Sequence, residues 1–168
     1  MMVRVLITGM SGTGKSTVIA ELSRRGYHAV DLDAPAYSHL VPAADGEVTG
    51  IGGGMDWVWN EALVAGLLDS AGDAPLFLSG CSPHQGRLYP RFDRIILLTA
   101  PTETLVERLA TRTTNDFGKD PNELANTLAL ISEIEPLLRR SADLVIDTTA
   151  PLDDVVRQVL ETAGVSTR

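Results

Sequence analysis

One cysteine, Cys81, stands among 168 residues. That count excludes an internal disulfide framework and a multi-cysteine metal site. Cations are scarce as well: 14 Lys and Arg face 22 Asp and Glu, for a net charge of −8. A surface that acidic repels nucleic acid and anionic membranes unless a basic patch is built into it, and no Lys/Arg run supplies one. No apolar stretch approaches the roughly 20 residues that span a bilayer. No basic segment followed by an apolar run opens the chain, so a signal peptide is not expected. Together these absences predict a cytoplasmic protein that engages neither nucleic acid nor membrane.

What is present is enough for one hydrophobic core and too little for two, so a single domain over 1–168 is expected. Val3, Val5, Leu6 and Ile7 make residues 2–8 read as a buried strand, followed at once by glycines. From Lys15 the spacing of Val18, Ile19 and Leu22 predicts a helix that Gly26 ends. Further short apolar runs predict strands at 27–30, 76–78, 95–98 and 144–146, and helices are expected near 102–113, 121–139 and 152–162. Residues 42–54, rich in glycine, read as a mobile loop. Asp56 reads as the N-cap of a helix through Leu68, with Trp57, Leu63, Val64 and Leu67 available for its buried face. Short apolar strands alternating with helices predict an α/β domain, a parallel sheet covered on both faces.

Gly9-Met10-Ser11-Gly12-Thr13-Gly14-Lys15-Ser16 fits G-x-x-x-x-G-K-[ST] at every fixed position. The glycines let the backbone curl until successive N–H groups point into one concavity, and the helix that follows adds its positive end. Lys15 brings a mobile charge to β- and γ-phosphates, and the Ser16 hydroxyl ligates Mg²⁺. Gly9, Ser11, Gly12, Thr13, Gly14, Lys15, Ser16 and Thr17 are therefore the candidate contacts to ATP.

Asp31 and Asp33 lie at the carboxyl end of the second strand, where open α/β sheets bind ligands. At i and i+2 in extended backbone their side chains share a side. One can serve Mg²⁺ through water and the other a substrate hydroxyl; Asp33 is equally suited to cap a helix starting near Ala34. The third strand runs into Ser79-Gly80-Cys81-Ser82 with no acidic residue, which makes the Asp31/Asp33 pair the better metal candidate. Arg108 and Arg112, one turn apart, precede a segment predicted to be a lid over about 111–121. Arginines there suit charge stabilisation on a transferring phosphate, while Glu107 or Glu103 offers Arg108 an ordinary surface partner.

These pieces resemble the nucleoside-monophosphate-kinase-like branch of P-loop kinases, and within it shikimate kinases most. The likeness runs from GMSGTGKST through the DLD of strand 2 and ERLATR to EPLLRRSADLVIDTTAPLDDVV. It implies a three-layer αβα fold with a five-stranded parallel sheet of order 2-3-1-4-5. It also implies that Asp31 serves Mg²⁺, that Asp33 binds the acceptor hydroxyl within a substrate segment of about 33–70, and that Arg112 acts in catalysis. Residues 147–151, Pro151 among them, would border the adenine. Two features depart from shikimate kinases: Gly80-Cys81-Ser82 replaces their glycine triplet, and Ile134 replaces their late substrate-binding arginine. Shikimate is therefore not the expected acceptor.

The expected activity is ATP- and Mg²⁺-dependent phosphoryl transfer to a small metabolite, by a monomer or homodimer. The alternatives are a nucleotide-dependent switch, or an ATPase or regulatory module with no small acceptor. Asn115-Asp116-Phe117-Gly118 is not the N-K-x-D of guanine readers, so ATP is expected over GTP.

Overall fold

A computed structural model describes residues 2–113, 116 and 118–166. Five strands form a parallel sheet: β1 (Arg4–Thr8), β2 (His28–Asp31), β5 (Leu76–Ser79), β6 (Arg94–Thr99) and β7 (Leu144–Asp147), in the order β2-β5-β1-β6-β7. Numbered among themselves, these strands give the expected order 2-3-1-4-5. The first strand is central because it is apolar on both sides. Val5 and Ile7 face one layer with Phe77, Ile96 and Leu98, against α1 (Lys15–Arg24) and α5 (Leu152–Thr162). Leu6 faces the other with Leu76, Leu78 and Ile95, against Val64 and Leu68 of α2 (Glu61–Ser70). Leu97 packs on Met10 and on Leu138 of α4 (Pro121–Ser141). Each such side chain, fully withdrawn from water, contributes about 1.5–3 kcal/mol. The result is a sheet whose carboxyl edge is held rigidly.

Helix starts follow their caps. The Asp120 carboxylate accepts from the N–H groups of Asn122 and Glu123 (2.8 and 3.3 Å), and Pro121 fills the first helical position of α4. After β6, α3 (Thr102–Thr111) carries Leu105 and Leu109 inward.

Residues 38–59 differ from the sequence-based expectation. Ser38–Pro42 (β3) and Met55–Trp59 (β4) form an antiparallel hairpin, separate from the main sheet. Asp56 is thus inside a strand and caps no helix. Asn60 caps α2 instead, its side chain accepting from Leu63 N at 3.2 Å. Leu63 points outward, and Val64 and Leu68 form the buried face. Asp33 caps no helix either, because residues 32–37 form turns. A 3-10 helix, Gln85–Arg91, also went unread in the sequence. Among the described residues no helix is long and apolar enough to cross a membrane.

Candidate functional site

The loop between β1 and α1 curls around its own backbone. Gly14 sits at φ +99°, in the left-handed region that a side chain resists, and no side chain caps the helix that follows. The first N–H groups of α1 are therefore left to an anion, with the helix dipole behind them. Thr13, fully buried, pins the loop from within: its hydroxyl donates to Met10 O at 2.7 Å. Lys15 Nζ folds back over the loop and donates to Gly9 O (2.7 Å) and Met10 O (3.1 Å).

Arg108 reaches the same loop from α3. It donates to Gly12 O (3.1 Å), Thr148 Oγ1 (2.8 Å) and Thr148 O (2.8 Å), and to neither Glu103 nor Glu107. Thr148 Oγ1 in turn donates to Thr13 O at 2.6 Å. The guanidinium thereby joins the phosphate loop to the turn between β7 and α5. Losing it should weaken both fold and site: Arg108→Ala is expected to cost about 1.5–3 kcal/mol, the range for hydrogen bonds to a charged group. Urea unfolding checks this, and a change below about 0.5 kcal/mol would contradict the staple.

Arg112 lies one residue beyond α3 in extended backbone, so it shares no helical face with Arg108. Burial lowers its guanidinium below the usual value, and the charge of Glu123 opposes that shift. Of the expected lid, Thr114, Asn115 and Phe117 fall outside the described residues. Gly118 N donates to Glu123 Oε2 at 2.9 Å, and Lys119 pairs with Asp116. Pro151 leads into α5, and its neighbours Ala150 and Leu152 line the cleft.

The β2 carboxylates occupy different surroundings. Ser16 Oγ donates to Asp31 Oδ2 at 3.3 Å, while Asp31 Oδ1 accepts from Asp33 N at 2.9 Å. Asp33 Oδ1 accepts from Trp59 Nε1 (2.9 Å) and from Cys81 N (3.1 Å), with Oδ2 at 3.2 Å from the same amide. Trp57 Nε1 donates to the Asp33 carbonyl at 2.7 Å. Burial raises the Asp33 carboxyl above the ordinary range, and the Lys15 charge and the Trp59 N–H pull it back. The Cys81 thiol is also raised by burial, which keeps it protonated and unsuited to nucleophilic work.

Ser79 completes this corner. It lies in register with Asp31 on one side and Ile7 on the other, so its side chain shares their face of the sheet. It is wholly buried, and among the described residues its hydroxyl has no hydrogen-bond partner. Two oxygen donors, Ser16 and Asp31, with an unsatisfied hydroxyl on the same face, fit Mg²⁺, which favours hard oxygens and retains several waters. Among the described residues no cluster of three or more His, Cys, Asp or Glu is placed to hold a metal without such help.

All of this opens into a cleft of about 1350 Å³ lined by Lys15, Ser16, Asp31, Asp33, Trp57 and Arg112, among others. That exceeds the roughly 300–1,000 Å³ of a one-ligand pocket. The contacts that Trp59, Gly80, Ser79 and Thr148 make here were not assigned from the sequence, although Thr148 lies within the 147–151 expected at the adenine. Only the alternation Trp57-Val58-Trp59 hinted that both indoles face one way. His84 is exposed, Gln85 is buried against Thr8, Ser82 and Tyr89, and Arg87 pairs with Glu61.

The AAA domain family matches residues 5–129, well over half of the chain. This chain belongs to that family. As an AAA-domain protein it is a P-loop nucleotide-binding domain. Curated relatives include nucleotide-binding proteins of Fervidobacterium nodosum (31% identical over 146 residues, 86% of this chain and 47% of that protein) and Paracidovorax citrulli (32% over 152 residues, 87% and 48%). The chain spans about half the length of the curated relatives it matches. Among solved structures, shikimate kinase from Acinetobacter baumannii in complex with shikimate superposes with a TM-score of 0.63 at 20% identity, covering 95% of this chain and 92% of that one. A gluconokinase from Sinorhizobium meliloti 1021 gives 0.54 at 19% identity, covering 96% and 91%. The AAA-domain chain thus has the fold of P-loop small-molecule kinases, and fold alone does not assign an acceptor.

Proposed function

We propose that this chain is an ATP- and Mg²⁺-dependent phosphotransferase acting on a small metabolite, one domain over 1–168 with an acceptor segment of about 33–70 and a lid of about 111–121. One observation carries the reading. The β2 carboxylates stand beside the start of α1, Asp31 against Ser16 and Asp33 two residues on, in a cleft larger than one ligand needs. Gly9 and Ser11 through Thr17 bind the nucleotide phosphates, and Lys15 leaves its two loop carbonyls to meet them. Ser16 and Asp31 hold Mg²⁺, with Ser79 free to accept one of its waters; when bound, the ion neutralises charge on the phosphates.

Asp33 orients the acceptor hydroxyl and takes its proton. Its raised carboxyl is a stronger base than an exposed aspartate. The acceptor oxygen bonds to the γ-phosphorus as the bond from that phosphorus to the β–γ bridging oxygen breaks, and ADP leaves. Arg112 faces the charge that develops on the transferred group. The protein works in the cytoplasm, as a monomer or homodimer.

A second reading, a nucleotide-binding module without a small acceptor, is favoured by one feature: Asp33 already accepts from Trp59 and Cys81. ATP turnover across a metabolite panel, with and without acceptor, separates the two. Acceptor-dependent ADP release supports phosphotransfer, and release indifferent to every acceptor supports the module.

Two further results are expected. Excess chelator abolishes turnover, and wild-type rates in chelator would remove Ser16 and Asp31 from the metal. Calorimetric titration finds ATP bound more tightly than GTP, and the reverse order would refute the adenine assignment.

A further inference from the structure

The charges that line the cleft come from different segments of the chain. Its cations among the described residues are Lys15, Arg108 and Arg112, and all three stand at the phosphate loop or at the end of α3 above it. The residues that β2, the turn after it, the 43–54 segment and β4 bring to the cleft include Asp31, Asp33, Glu47 and Asp56 and no Lys or Arg. Ser16 holds Asp31 and the Lys15 charge acts on Asp33, which leaves Glu47 and Asp56. The nearby cations of the 3-10 helix are engaged elsewhere, Arg87 with Glu61 and Arg91 with Asp69. Trp57, with Ile134 and Leu137 of α4, adds apolar surface to the cleft.

We infer that the acceptor is a small alcohol carrying a protonated amine and no anionic group, an inference that rests on the phosphotransferase reading above. A carboxylate or phosphate placed beside Glu47 and Asp56 meets like charge from both, and their segments bring no Lys or Arg to the cleft. An ammonium meets the reverse. Asp56 and Glu47 stand close enough for Glu47 to raise the Asp56 carboxyl, in the same direction as burial, with His84 opposing both. A cation between them relieves that strain, and the indole of Trp57 offers a π-face beside it. The hydroxyl, not the amine, reacts at Asp33, because a protonated amine has no electron pair to give.

Gluconate, sorbitol and glucamine test this, because they share one six-carbon polyol skeleton and differ only in a terminal carboxylate, hydroxymethyl or aminomethyl group. Each is titrated into the full chain with Mg²⁺ and a non-hydrolysable ATP analogue, and tryptophan fluorescence is followed. Both tryptophans of the chain, Trp57 and Trp59, contact Asp33. Glucamine is expected to bind about tenfold more tightly than gluconate, with sorbitol between. The double variant Glu47→Gln, Asp56→Asn is expected to bring the three within about twofold while leaving nucleotide affinity unchanged. Gluconate binding as tightly as glucamine, no binding of glucamine, or a preference that survives in the double variant overturns the inference. ATP-dependent phosphorylation of gluconate but not glucamine also overturns it, and leaves phosphotransfer standing. Preference for glucamine without any transfer from ATP upholds the charge assignment and overturns the phosphotransferase reading.

Discussion

Lys15→Ala will lower ATP-dependent turnover by about 10²–10³-fold, the loss that follows removal of one preorganised charge-stabilising donor. The substitution deletes the charge that the sequence places at the phosphates and nothing of the core. Its two bonds, to Gly9 O and Met10 O, are part-buried. Water can reach the carbonyls that the ammonium leaves, so unfolding free energy should fall by less than the roughly 1.5–3 kcal/mol expected at Arg108. The two measurements together discriminate. A variant that keeps its unfolding midpoint but loses nucleotide affinity in calorimetry, and turnover with it, places Lys15 on the phosphates. Unchanged activity would remove the phosphate loop from the chemistry, and lost activity with a collapsed midpoint would make Lys15 a structural residue.

The parallel sheet was legible because its signals are local and redundant. Most core strands are short apolar runs ended by glycine, aspartate or serine, β6 running instead into Ala100-Pro101, and the α-helices that follow repeat their apolar residues at helical spacing. The phosphate loop was legible for a different reason: its spacing is set by backbone geometry that few sequences satisfy. Residues 38–59 were not legible. Asp56 before an apolar stretch is a real N-cap signal, but it lost to cross-strand pairing of Leu40 with Trp57 and Ser38 with Trp59. The alternation Met55-Asp56-Trp57-Val58-Trp59 carried the strand signal, and Asn60 carried the true cap. Glycines in the connecting segment hid the hairpin because a long loop dilutes any turn signature.

The candidate site divides along the same line. Lys15, Ser16, Asp31 and Asp33 could be put forward from sequence because motif and strand end coincide, and the structure sets all four on one cleft. Arg108 has other partners than the Glu103 or Glu107 that the sequence offered as the ordinary alternative: Gly12 O and Thr148 lie 96 and 40 residues away in sequence. Contacts of that range follow from the fold and leave no local trace. The same holds for Trp59, whose indole N–H meets Asp33 across 26 residues.

Gly80→Ala is the second large effect expected, and it probes the corner that sequence could not see. A Cβ on Gly80 would lie 2.7 Å from Asp33 Oδ1 and 2.9 Å from Trp59 Cζ2 and Nε1. Its φ of +152° adds backbone strain for any side chain. Neither neighbour can yield freely. Trp59 is 4% exposed and packed in the core, and Asp33 is fixed by the Cys81 amide on the adjacent residue. Overpacking and backbone strain together should destabilise the protein by about 2–4 kcal/mol, read from the urea midpoint. Gly66→Ala is the matched control, since Gly66 lies within α2 and an added Cβ there has nothing within 4 Å. That change should stabilise by about 0.5–1 kcal/mol through helix propensity. Opposite signs for the two substitutions locate the cost at the Asp33–Trp59 contact. In the surviving Gly80→Ala protein the acceptor side should fail before the nucleotide side, with ATP affinity held within about threefold, a shift of under 1 kcal/mol. A Gly80→Ala protein as stable as wild type, with unaltered turnover, would show that Asp33 does not depend on this packing.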